Sequence, residues 1–143
     1  MDGPAVAGER EEVMSDDTLR NVVRGVGALF TLLGVRWLLD PAGAATGLGM
    51  PLLEGIARST QVGDFASFFL VAGLSAILGA SPGRAALLRV PAALIGGAAV
   101  TRTLAWLWQG AGFATSFIAV EVVVGALLLW ASSRLADAWP GGR

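Results

Sequence analysis

The stretch VVVGALLLW at residues 122–130 decides the fold class, because a helix built from it has no polar face. The stretch VAGLSAIL at residues 71–78 has the same character, with Ser75 as its single polar side chain. A helix that is apolar all round is either buried on every side or surrounded by lipid. With 143 residues, 55% hydrophobic and 15% charged, a soluble fold would leave much apolar surface in water. We therefore expect lipid to surround these helices.

Outward from these two stretches, four segments are long and apolar enough to cross a bilayer core, which takes roughly 20 helical residues. The predicted spans cover about residues 19–39, 62–80, 85–108 and 113–134. Turn-forming residues separate them at 40–41, 81–83 and 109–112. The sequence thus predicts an all-α protein, an integral membrane four-helix bundle with up-down-up-down order.

The arginines near the span ends predict the orientation of this bundle. Cytoplasmic loops carry an excess of arginine and lysine. The side that holds both termini and the second loop has seven arginines: Arg10, Arg20, Arg24, Arg84, Arg89, Arg134 and Arg143. The opposite side has Arg58, with Arg36 close to the boundary. Both termini are therefore predicted to be cytoplasmic.

The segments outside the membrane domain at 19–134 differ in charge. Residues 1–17 contain six acidic residues and Arg10, a local charge of −5, and the remaining chain carries +4. A polar, strongly charged segment cannot bury enough apolar surface to fold, so residues 1–18 are predicted to be a disordered acidic tail. Residues 135–143 are predicted to form a short C-terminal tail.

The outer loop at residues 40–61 is the longest connection. Its glycines at 43, 47 and 49 predict a flexible first part. Residues 50–58 are predicted to form a short interfacial helix, because Pro51 suits a first turn and Glu54 and Arg58 are spaced to pair at i and i+4. We expect Glu54 and Arg58 to belong to a cap over the bundle.

The missing residue types exclude several classes of function. The chain has no Cys, His or Tyr, and all ten of its basic residues are Arg. Disulfides, thiolate nucleophiles, imidazole catalysis, zinc sites and lysine Schiff bases are therefore excluded. Since no phosphate-binding loop or basic stripe occurs, we expect no catalytic residues, no metal, no cofactor and no nucleic-acid partner.

Four ionisable residues lie inside the predicted spans, where each costs several kcal/mol unless it is paired or hydrated. They are Arg36, Asp64, Arg102 and Glu121, one from each helix. Because successive spans run in opposite directions, all four fall in the outer half of the bilayer, and their charges sum to zero. We expect them to face the bundle interior, with Arg102 reaching Glu121 and with Arg36 or Arg102 pairing with Asp64.

Two interpretations of this cluster are open. In the first, the ion pairs fix the register of the helices and have no further role. In the second, the arginines line an outward-open pocket that binds an anionic or carbonyl-bearing group. Four charges in one sealed network would favour the first, and an open cavity lined by arginine would favour the second.

Small and aromatic residues give two further expectations. Small residues at helical spacing, such as Gly27 and Gly34, predict close helix packing, and the run Gly96–Ala99 predicts that the third span is the most buried. Tryptophans near the span ends predict an aromatic belt at the membrane surfaces. These are Trp37, Trp106, Trp108, Trp130 and Trp139.

The sequence resembles a bacterial membrane family, domain of unknown function 4345, within the broader DoxX-like group. The resemblance covers roughly residues 20–134 and rests on Gly63-Asp64 before a glycine- and leucine-rich helix, the segment 101–104 followed by Gly110, and Glu121 in an apolar last helix. The sequence differs from the family pattern at 65, 68 and 69, where phenylalanines stand. The resemblance implies a four-span bundle in which Arg102 and Glu121 are linked positions, and it implies no known activity.

These observations favour a non-enzymatic membrane protein whose polar cluster binds a small amphiphilic ligand or organises a membrane complex. The alternative is an oligomeric transporter or channel subunit, because four helices leave little room for a private pathway. A membrane-embedded enzyme that uses Asp64 or Glu121 as acid or base ranks below both. The expected partners are the lipid bilayer, a second copy or a membrane complex, and the expected location is the plasma membrane or bacterial inner membrane, as a multi-pass protein.

Overall fold

The computed structural model describes residues 14–137, and all regular structure within them is helical. The helices are α1 (Asp16–Leu39), α2 (Pro41–Gly47), α3 (Gly55–Gly79), α4 (Arg89–Gln109) and α5 (Thr115–Asp137), and a 3-10 helix at Ala85–Leu88 leads into α4. Four helices, with the 3-10 segment counted into α4, are long and apolar enough to cross a membrane. The prediction of four such helices is confirmed.

The first and last helices extend further toward the termini than the predicted spans. Helix α1 begins inside the predicted tail, because the Ser15 hydroxyl accepts a hydrogen bond from the Thr18 amide and Asp16 and Asp17 favour the first turn. Helix α5 continues to Asp137, three residues beyond its predicted end. The rest of the predicted tails, residues 1–13 and 138–143, lies outside the described residues.

The short helix of the long loop is not where the sequence analysis placed it. It forms at Pro41–Gly47, in the part predicted to be flexible, because the Asp40 carboxylate accepts from the Gly43 amide and Pro41 occupies the first turn. Residues 51–54 are not helical, and residues 55–58 are the first turn of α3. Helix α3 therefore begins seven residues before the predicted start of the second span.

Two cores hold the helices together, one at each end of the bundle. At the end that carries Asp16 and Asp137, here the terminal end, one core gathers side chains from all four long helices. Its largest buried members are Leu19, Leu88, Ile95, Leu128 and Leu135.

At the opposite end, here the loop end, the buried core contains residues of α1, α2 and α3 alone within the described chain. Its members are Trp37, Ala44, Ala45, Ala66 and Phe69. Helices α4 and α5 thus join α1 and α3 at the terminal end and separate from them toward the loop end.

Glycines let the backbones of α1 and α3 approach each other closely. A Cβ added at Gly27 would lie 2.8 Å from the Gly73 carbonyl oxygen, and one added at Gly73 would meet the backbone nitrogen and hydroxyl of Thr31. A Cβ at Gly34 would similarly lie 2.9 Å from the Leu70 nitrogen. Such small-residue contacts let helices in lipid gain van der Waals packing that bulkier side chains would prevent.

The third predicted span is not the most buried one. Helix α3 has the largest buried share of the four, and a Cβ at Gly96 or Gly97 of α4 would meet nothing within 4 Å. Helix α5 approaches this part of α4 at Gly125, where an added Cβ would lie 3.5 Å from the Gly96 nitrogen, an ordinary van der Waals distance. The glycine pair of α4 therefore makes no contact as close as those between α1 and α3.

The surfaces of the long helices are those of a protein in lipid. Large apolar side chains are exposed on each of them, among them Leu32, Leu74, Val100 and Val123. Trp106, Trp108 and Trp130 are exposed near helix ends. Trp37 does not belong to the predicted aromatic belt at the membrane surface. It is buried and stacks on Phe65 at 4.8 Å between ring centroids.

We expect Gly73→Ala to lower the free energy of unfolding by about 1–3 kcal/mol, because overpacking in a close contact forces backbone shifts. Gly97→Ala is the matched control in the middle of α4, where the new methyl meets nothing and alanine is the better helix former by about 1 kcal/mol. Thermal unfolding in detergent, followed by circular dichroism, measures both. Equal loss of stability in the two variants would show that the α1–α3 contact is not as close as described.

Candidate functional site

A cavity of about 350 Å³ lies where the two pairs of helices separate. All four long helices and the loop after α2 contribute to its wall. The lining residues are Phe30, Leu33, Leu48, Phe65, Phe68, Phe69, Ile95, Ala98, Arg102, Phe117, Val120 and Glu121. Five of the six phenylalanines in the chain line this one cavity, whose only charged residues are Arg102 and Glu121.

Helical spacing explains the aromatic wall. Phe65 and Phe69 are four residues apart on α3, and Phe68 is three after Phe65, so their side chains emerge on one side of the helix. Phe69 contacts Phe30 of α1 at 5.8 Å between centroids and lies edge-on to Phe68 at 5.3 Å. The interlocked rings hold the wall in place while leaving the space in front of them unfilled.

The polar part of the wall is an ion pair between α4 and α5. The Nε atom of Arg102 donates to Oε1 of Glu121 at 2.9 Å, and the two side chains are 32% and 15% exposed. The guanidinium also lies over the ring of Phe117, with Cζ 5.0 Å from the centroid. Phe117 and Glu121 are four residues apart, so one face of α5 supplies both contacts. The guanidinium is therefore fixed in position and direction.

Parts of this ion pair have no partner. The Oε2 atom of Glu121 is buried and accepts no hydrogen bond from any residue that the structure describes. Within residues 14–137 the hydrogen bond of Nε is the only one that Arg102 donates from its side chain, although arginine has five N–H donors. Arg102 thus lines the cavity with guanidinium N–H donors from which no described residue accepts a hydrogen bond.

The structure brings together two of the four predicted cluster residues. Arg102 and Glu121 pair as expected. The Nη2 atom of Arg36 instead lies 3.5 Å from the carboxylate of Asp40, which directly follows α1, and both side chains are about half exposed. Asp64 is exposed and forms no ion pair with any other described residue.

Rotation around the helix axis explains why only two of the four predicted cluster residues lie together. Each residue turns the helix by about 100°, so neighbours in sequence point in different directions. Trp37 and Ala66 are the residues that point into the core, which turns Arg36 aside and places Asp64 about 200° from Ala66. The sequence predicted the depth of the four charges, but their direction depends on which neighbours are buried.

The predicted cap residues do not line the cavity. Glu54 makes no capping hydrogen bond at the start of α3, and Arg58 donates from Nε to the Leu53 carbonyl at 2.8 Å. Leu48 is the loop residue that covers the cavity. The expected pairing of Glu54 with Arg58 is absent from the ion pairs of residues 14–137.

Gln61 holds this loop in place and was missed by the sequence analysis. Its side chain is buried, accepts from the Leu53 amide at 2.9 Å and donates to the Pro51 carbonyl at 3.1 Å. Met50 and Leu52 pack against the loop-end core as a result. The signal for this role is a glutamine directly before the predicted start of the second span, at a position that the structure places inside α3.

Comparison with known proteins adds no relative to this description. No family model, curated protein or solved structure matches the chain. The resemblance to the DoxX-like group therefore stays a prediction, and the function has to be inferred from the cavity and its ion pair.

We expect Arg102→Leu and Glu121→Leu each to lower the free energy of unfolding by about 3–5 kcal/mol, because either change leaves a partly buried charge alone. The double variant is expected to recover most of this loss, since an apolar pair of similar volume often replaces an ion pair without a penalty. Unfolding in detergent measures the cycle. Arg36→Leu is the control, because an exposed pair contributes at most about 1 kcal/mol. Additive losses in the double variant would contradict the pairing.

Proposed function

We propose that this chain is a multi-pass membrane protein that binds a small amphiphilic molecule in the cavity between its helices. The observation that carries the proposal is the combination of five phenylalanines and one ion pair around a single space of about 350 Å³. Ligand sites are typically cavities of this size class, mostly apolar, with a few polar groups that orient the ligand.

The cavity is large enough for more than a solvent molecule. An apolar cavity of roughly 150 Å³ in a protein core holds benzene. The cavity of this protein is more than twice that volume, so an alkyl chain or ring system with one polar group fits its size and lining.

Binding accounts for the site better than transport through one chain. At the terminal end, apolar side chains of all four long helices pack into one core, and Ser132 of α5 is the buried polar residue described at this end. A solute in the cavity would meet this core before it could reach the other side. A transport pathway through a single chain therefore has no support. We propose binding without catalysis or transport.

The proposal includes an orientation in the plasma membrane. The arrangement of the two cores supports an up-down-up-down bundle, since the first turn of α1 and the last turn of α3 share the terminal end, where Arg20 donates to the Ala80 carbonyl. Five described arginines lie near this end: Arg20, Arg24, Arg84, Arg89 and Arg134. By the excess of arginine in cytoplasmic loops, this end faces the cytoplasm and the cavity lies in the outer half of the bilayer.

Single cysteines test the orientation, because the chain has none of its own. We expect Thr46→Cys, at an exposed position of α2, to react with a membrane-impermeant maleimide on intact cells. Ala136→Cys, exposed at the end of α5, is expected to react only after the cells are permeabilised. The reverse pattern, or labelling of both sites on intact cells, would overturn the proposed orientation.

Photolabelling tests the binding itself. The probe is a long-chain alcohol with a diazirine in its chain, added to the protein in lipid nanodiscs, and adducts are located by mass spectrometry. We expect adducts on Phe68 and Phe117, and we expect Ala98→Phe to reduce them several-fold, because its ring would occupy the cavity. Ala93→Phe is the matched control, since Ala93 lies on an exposed face of the same helix.

Two outcomes of this labelling would count against the proposal. Adducts confined to lipid-facing residues would show that the cavity does not bind the probe. Equal adducts on Phe117 in the native protein and in Ala98→Phe would show that the probe reaches this ring without entering the cavity.

A further inference from the structure

We propose that the cavity selects ligands with a neutral hydrogen-bond acceptor, such as the carbonyl of a ketone, ester or amide, over carboxylates and plain hydrocarbons. This inference rests on the proposed function, because it concerns the ligand class of the same cavity. It follows from the Arg102–Glu121 ion pair and from the place of this pair in the cavity wall.

The pair supplies donors to the cavity but no net charge. Arg102 is already neutralised by Glu121, whose Oε1 accepts from Nε at 2.9 Å. A carboxylate ligand would add an uncompensated negative charge to a wall otherwise made of apolar side chains, and it would lie beside the carboxylate of Glu121. Charge in such an environment is strongly disfavoured, so an anion gains little from the arginine.

A neutral carbonyl avoids this penalty and still gains a strong hydrogen bond. The guanidinium has further N–H donors besides the one held by Glu121, and a hydrogen bond from a charged donor is stronger than one between neutral groups. Phe117 covers one face of the guanidinium, 5.0 Å from Cζ, and Glu121 fixes its edge. The donors are therefore held in one direction before a ligand arrives.

A hydrocarbon would fill the same space without using these donors. Its binding would leave the remaining N–H groups of Arg102 covered by an apolar molecule, which carries the desolvation cost of an unsatisfied charged donor. The aromatic wall thus attracts the chain of a ligand, and the ion pair favours a particular head group. This division predicts a preference that can be measured with matched probes.

The experiment compares three photoreactive probes with the same chain and the same diazirine position. One ends in a methyl ketone, one in a carboxylate and one in a methyl group. Each is added to the full-length protein in nanodiscs at neutral pH, and adducts are located by mass spectrometry. The yield on Phe117 is divided by the yield on Val123, which is exposed on the same helix, so that differences in partition into the bilayer cancel.

We expect the normalised yield of the ketone to exceed those of the hydrocarbon and the carboxylate by about tenfold, as one charge-assisted hydrogen bond allows. In the double variant Arg102→Leu with Glu121→Leu the ketone is expected to lose this advantage over the hydrocarbon. Since the three yields in the native protein already decide the matter, the test does not depend on the folding of the variant.

The other outcomes would contradict the head-group preference, the proposed function or both. A carboxylate yield above that of the ketone would make the cavity an anion site and overturn the inference. Equal enrichment of all three probes would overturn the head-group preference and leave the proposed binding intact. No enrichment of any probe on Phe117 over Val123 would overturn both the inference and the proposed function.

Discussion

The backbone contact between α1 and α3 is the constraint on which the rest of the structure depends. Gly27 and Gly73 bring the two helices so close that no Cβ fits between them. Helices in lipid gain no hydrophobic energy from associating, so contact of this kind supplies the packing that holds them together. At the loop end, Trp37 of α1 and residues of α2 pack against α3 in one core. Helices α4 and α5 meet this pair closely only at the terminal end, and the cavity is the space that remains.

The ion pair of Arg102 and Glu121 is the second element, and it connects the fold to the site. Opposite charges on two membrane helices are tolerated when they pair with each other and face the protein interior. Here the pairing also fixes the rotation of α4 against α5, because Phe117 lies one turn from Glu121 and contacts the same guanidinium. One interaction thus orients two helices and gives an aromatic cavity its single polar contact.

The limits of sequence-based prediction show most clearly in the charged residues. Depth along each helix follows from counting residues, so the pairing of Arg102 with Glu121 was predictable. The spacing of Arg36 and Asp40 also allows a pair at i and i+4, but the choice of Asp40 over Asp64 depends on Trp37 being buried against α2 and α3. The phenylalanines of α3 were visible in the sequence as a departure from a family pattern. Their common cavity was not, since it depends on how far α5 lies from α1.

The sequence by itself determined the solvent and the number of spans. Apolar stretches without a polar face are typical of helices in lipid, and their lengths match a bilayer, so both conclusions follow from local composition. The tertiary structure alone decided that small residues make a close contact at Gly73 and none at Gly97, and that the terminal end closes while the loop end opens. The physical reason is that composition fixes what a helix can contact, whereas rotation and tilt against its neighbours fix what it does contact.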